Sequence, residues 1–91
     1  MEDNSLKPKH NIEEQKIGEK TILFDIDSFK FYELNETMSF IWDMLKKEKK
    51  KKEIAHVLTK KFDVEYERAE KDVEKAIQEL TKKDIIVKNK S

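Results

Sequence analysis

Cysteine is absent from this chain, which excludes disulfides, thiolate nucleophiles, iron–sulfur clusters and cysteine-based zinc sites. Glycine occurs once, at Gly18, and proline once, at Pro8, so no glycine-rich loop is available to cradle a phosphate or shape a catalytic pocket. Arg68 is the only arginine. A reader of phosphates or base edges favours arginine, whose planar fork binds bidentately, over the lysines that dominate here. The 20 basic and 20 acidic residues cancel, which argues against gripping nucleic acid through overall charge. No window is long and apolar enough for a membrane span. The polar start MEDNSLKPKHN has no apolar signal-peptide region, so a soluble cytoplasmic protein is expected.

What remains is one small domain of 91 residues, 44% charged and 36% hydrophobic, whose modest core has to lean on aromatic side chains. Residues 1–11 are polar and aperiodic and read as a disordered tail. Ile12–Ile17 is a weakly patterned first strand, and Gly18-Glu19 a turn. Thr21–Asp27 alternates as a strand, Asp27-Ser28 turns, and Phe29–Leu34 is a third strand close enough to pair with the second as a hairpin. Asn35 caps a helix over Glu36–Lys47, with Met38, Ile41, Trp42 and Leu45 at helical spacing. A second helix, Lys51–Lys61, aligns Ile54, Ala55, Leu58 and Phe62. A third, Tyr66–Lys83, aligns Tyr66, Ala69, Val73, Ala76, Ile77 and Leu80, with an acidic start and a basic end that suit its dipole. Ile85–Val87 is a short strand or an apolar tuck. Strands first and helices after them give an α+β fold: a three-stranded antiparallel N-terminal sheet, then a three-helix winged helix-turn-helix-like bundle.

The chemical constellations are weak. His10 and His56 are far apart in sequence and read as surface histidines, with no partners at ligand spacing, so no metal and no cofactor is expected. Asp25 and Asp27 share strand spacing and one face, which suits acid–base work, but such a pair more often forms the solvent side of a strand. The run Lys46–Lys52 resembles a nucleic-acid patch, and reads better as a solvated helix junction because no aromatic residue interleaves it. Trp42 is read as core, with a partly exposed groove floor as the alternative. The third strand is different. Phe29, Phe31 and Glu33 point one way and Lys30, Tyr32 and Leu34 the other, so both faces carry aromatics. As the last strand of the meander it has a free edge, a liability unless it is covered or used. Its use would be β-augmentation, in which a peptide adds as a further strand.

The run YELNETMSFIWDML resembles the strand-to-helix segment of PqqD-like proteins, the RiPP recognition elements. Leu34, Asn35, Thr37, Ile41, Trp42 and Leu45 carry the likeness there. Glu53-Ile54-Ala55, Leu58, Phe62-Asp63-Val64, Ala69, Asp72-Val73, Leu80 and Ile85-Ile86 extend it from about Ile22 to Val87. The departures lie at caps and turns: Lys46-Lys47 where Asp-Gly is common, Lys50 at a helix cap, Glu65-Tyr66 at a helix start and Asp84 where Gly often closes the last helix. The resemblance implies a PqqD-like domain over residues 12–88. Such a domain binds the leader of a ribosomally made precursor peptide and presents it to a modifying enzyme, often a radical SAM maturase, in natural product biosynthesis of which coenzyme PQQ is one case. It implies no catalytic residue. Carried onto this chain, it implies a strand surface of Ser28, Phe29, Lys30, Phe31, Tyr32, Glu33 and Leu34, facing Arg68, Asp72, Lys75, Ala76 and Glu79 of the last helix. A homodimer through the edge strand is a further possible partner state. The alternative, from topology alone, is a winged-helix DNA-binding regulator. Its recognition helix would be the third, whose seven acidic residues between Glu65 and Asp84 repel phosphate.

Overall fold

Alternation along Lys20–Asp25 decides which side of the sheet is buried. Thr21, Leu23 and Asp25 turn inward and are buried, while Ile22 and Phe24 between them stay partly exposed. A computed structural model, describing residues 6–88, gives the order β1 (Leu6–Pro8), β2 (Ile12–Ile17), β3 (Lys20–Asp25), β4 (Lys30–Leu34), α1 (Glu36–Lys46), α2 (Lys51–Phe62), α3 (Tyr66–Lys82) and β5 (Ile86–Lys88). The fold is α+β, with three helices and an antiparallel sheet in the order β2-β3-β4. Gly18, at φ 63°, sits in the two-residue turn between the paired ends Ile17 and Lys20, where a left-handed residue matches the twist of a tight hairpin.

The expected disordered tail over residues 1–11 fails at Leu6–Pro8; residues 1–5 lie outside the described residues. Leu6–Pro8 pairs antiparallel with β5, Leu6 opposite Lys88 and Pro8 opposite Ile86, and the Lys9 N–H donates to the Ile85 carbonyl (2.8 Å). The partner strand is almost the full chain away, so no local pattern announces the pairing. Lys9 then reaches Asp25. The expectation that Asp25 shares a solvent-facing side with Asp27 is also overturned, since Asp25 is 2% exposed. Its Oδ1 accepts from the Asp27 (3.0 Å) and Ser28 (3.4 Å) N–H groups, and its Oδ2 from Lys9 Nζ (3.2 Å). Burial pushes the Asp25 carboxyl up, but the Lys9 ammonium and the donors at Ser28 outweigh it and hold it below its ordinary value.

The helices close the core. The Asn35 side chain accepts the Met38 N–H (2.8 Å) as the expected cap of α1. Trp42 is 1% exposed, which makes it core and not a groove floor, and its indole N–H donates to Glu14 on β2 (2.8 Å). Lys50 begins α2 without an oxygen to offer. Instead Glu53, three residues on, accepts the Lys50 N–H (3.0 Å), half of a capping box. Turns that usually take glycine are made without it: Glu48, Asp63 and Asp84, at φ 60°, 53° and 60°, end the three helices in the left-handed region. Leu23, Leu34, Ile41, Leu45, Ile54, Leu58, Val73, Leu80 and Ile85 complete the core around Trp42. Fully burying a side chain of this size contributes roughly 1.5–3 kcal/mol.

Candidate functional site

Two strands end the sheet, and β4 is the one whose surroundings form a site. It pairs only with β3, Leu34 opposite Thr21 and Lys30 opposite Asp25, so its other edge carries main-chain donors and acceptors with no strand against them among the described residues. Leu34 and Tyr32 turn inward, Leu34 buried and Tyr32 half-buried, while Phe31 and Glu33 turn out. Leu34 can therefore offer a partner little beyond its backbone. Ser28 and Phe29 fall outside the strand, in the turn that launches it, where the Phe29 N–H donates to the Asp25 carbonyl (2.8 Å).

Where β4 stops, a groove begins. Asn35 follows the strand directly and is also the first wall of an open groove of about 390 Å³ between α1 and α3. Its α1 side is Thr37, Met38 and Ile41; its α3 side is Arg68, Asp72, Lys75, Ala76 and Glu79. All five α3 residues expected from the sequence thus line one feature. None of the expected strand residues lines it, so edge and groove are neighbouring surfaces joined at Asn35 and not a single cleft. Asn35, Thr37, Met38 and Ile41 lie outside the site residues expected from the sequence. The cap and core roles of Asn35, Met38 and Ile41 drew attention instead, although their three-residue spacing puts them on one helix face. A second hollow, about 430 Å³, lies at the start of α3 between Asp63 and Lys71 and shares Arg68, but it has no continuity with the sheet edge through its lining.

The α3 wall is a rail of alternating charge. Residues 68, 72, 75 and 79 recur at helical spacing as plus, minus, plus, minus above Ala76, which is almost fully buried. Arg68 lies 3.6 Å from Asp72, and Lys83 Nζ donates to Glu79 (3.0 Å). The Lys83 hydrogen bond and charge hold the Glu79 carboxyl below its ordinary value. Lys75 has no ion pair among the described residues. The arrangement suits an extended polypeptide: backbone pairing along β4, an apolar floor at Ile41 and Ala76, and charged side chains to sort what lies above it. Among the described residues no group of three His, Asp or Glu side chains could hold a metal ion, and no helix is long and apolar enough to cross a membrane.

Comparison with known proteins places the family and the fold. The family model for coenzyme PQQ synthesis protein D (PqqD) matches residues 20–86, which span β3 to the start of β5. Among curated proteins no relative matches the sequence. Two solved structures share the fold. One, TbiB1 in complex with the TbiA(beta) leader peptide, is 20% identical with a TM-score of 0.82, over 88% of this chain and 93% of that one. The other, lasso peptide synthetase B1 complexed with the leader peptide, is 22% identical with a TM-score of 0.84, over 91% and 98%.

Proposed function

This chain belongs to the family of coenzyme PQQ synthesis protein D (PqqD), and we propose that it binds the leader segment of a ribosomally made precursor peptide as an added strand on β4. The carrying observation is the junction at Asn35, where a free strand edge runs into a groove with an apolar floor. Main-chain pairing along Lys30–Leu34 supplies affinity, and Ser28 and Phe29 extend the surface at its start. The groove residues Arg68, Asp72, Lys75, Ala76 and Glu79 select among leaders by charge and shape. The two fold neighbours are leader-peptide complexes, which supports the reading.

On this reading the protein acts in the cytoplasm by presentation and not by catalysis. It holds the leader while a modifying enzyme, a radical SAM maturase in the simplest case, works on the rest of the precursor. The winged helix-turn-helix-like bundle is then a scaffold for the sheet edge. Its third helix exposes Glu67, Glu70, Glu74 and Glu79 beside Arg68, Lys71, Lys75 and Lys82, and so offers duplex DNA no net positive charge. The same edge, left empty, could pair two copies of the chain.

An NMR titration with the leader of a precursor peptide encoded beside this gene tests the reading. Amide shifts concentrated in Phe29–Leu34 and α3 are expected. Shifts confined to Lys46–Lys52, or no shifts at all, would sink it.

A further inference from the structure

The outer face of the sheet is apolar where it meets the β4 edge. Phe31 is 70% exposed and Phe29 76%, the two most exposed large apolar side chains among the described residues. They group around Phe24: Phe31 lies directly across the strands from it, ring centroids 4.6 Å apart, and Phe29 stands at 6.3 Å. Phe29 also holds φ at 59°, the left-handed region that a bulky side chain adopts only at a cost and that Gly or Asn would fill with ease. Exposure leaves the ring little burial to offset that cost within the chain. Strain at an exposed aromatic is the pattern of a residue kept for contact with a partner.

Strand geometry says which partner. A peptide that adds to β4 sends alternate side chains to the outer face, each about 5 Å from its opposite number. One must therefore sit beside Phe31 and the next, two residues along, beside Glu33, whatever the peptide's direction. Glu33 is exposed, and its only ion pair among the described residues is a loose 3.9 Å contact with Lys20. We infer that the leader is gripped on both faces, and that its outward side chains carry an aromatic or β-branched residue against the Phe24–Phe29–Phe31 cluster, two positions from a Lys or Arg against Glu33. This rests on the reading of β4 as the leader edge and adds a specificity rule to it. The occupant follows from continuity with that edge and from the charge of Glu33 beside the cluster.

The test uses the full-length protein and a display library of random short peptides. Wild type is expected to enrich peptides with an aromatic or β-branched residue two positions from a basic one. Phe31→Ser should lose the aromatic preference at least fivefold while keeping the basic one, and Glu33→Lys should turn the basic preference acidic. Phe29→Gly separates contact from folding: its urea midpoint should rise as the strain is relieved, while enrichment of the aromatic falls. Enrichment of the same peptides by wild type and by all three variants overturns the inference and leaves the leader edge standing. If wild type sediments as a dimer that Phe31→Ser dissociates while peptide preferences stay fixed, the cluster belongs to a second copy and the inference is likewise overturned. If no peptide is enriched by any form, the reading of β4 itself has failed.

Discussion

The two outer strands of the sheet, β2 and β4, hold equivalent places at its two edges and carry different side chains. Among the described residues both pair on one side only, with β3 between them. The inner face of β2 carries Glu14 and Lys16, and each is tied to α1. Lys46 donates to Glu14 (2.8 Å), which also takes the Trp42 N–H (2.8 Å), and Lys16 donates to Asp43 (2.7 Å). Its outer face offers Glu13 and Gln15, with Ile17 exposed at the turn. A charged strand pinned to a helix is a blunted edge, the usual protection against unwanted pairing. In β4 the charges thin out, aromatics face outward, and the strand runs into a groove. A free edge is thus only a possibility; the side chains around it decide whether it is closed or offered.

The largest effect should come from proline. Successive N–H groups of a strand point to opposite edges, so of Phe31→Pro and Tyr32→Pro one removes a ladder donor to β3 and the other a donor on the free edge. The variant that keeps its fold by circular dichroism is expected to lose leader affinity more than about tenfold, or ~1.4 kcal/mol. The same pair of substitutions at Gln15 and Lys16 should include one folded variant with unchanged affinity. Equal losses on both edges would erase the distinction. Next comes Asp25→Asn, which keeps an oxygen for the turn that launches β4 but releases Lys9. Because the Asp25 carboxyl titrates below its ordinary value, its contribution is present above about pH 4 and is lost as pH falls through the folded value. The variant should melt earlier than wild type at neutral pH, and the gap in Tm should close in acid. A gap that widened in acid would contradict the assignment. The smallest effect is Lys75→Glu. One exposed charge is worth under ~1 kcal/mol, so affinities should shift about threefold in anisotropy titrations, in favour of leaders with a basic residue over the groove and against acidic ones. High salt should remove the shift.

Much of this was open to reading in the chain itself. Periodicity placed α1, α2 and α3 to within a residue at each end, because one apolar stripe defines each helix and, for α1, a side-chain cap marks its start. The third strand's alternation of Phe31 and Glu33 against Tyr32 and Leu34 held as well. The run Leu34, Asn35, Thr37, Ile41, Trp42 carried the family likeness that the match over residues 20–86 establishes. What stayed hidden depended on partners distant in sequence. Leu6–Pro8 looks like a tail until β5 is beside it, and Asp25 looks solvent-facing until Lys9 arrives. The groove's α1 wall was missed for another reason. Met38 and Ile41 bear the marks of core, and only the packing of α3 shows that a core residue can also be a floor. The left-handed turn at Phe29 has no signature at all, since nothing in Asp27-Ser28-Phe29 asks for positive φ.

The pairing of Leu6 with Lys88 places the two ends of the described chain side by side. Tethers leaving from the two ends start a strand spacing apart, so a partner fused before β1 or after β5 would meet the β4 edge at a similar effective concentration for equal linker length.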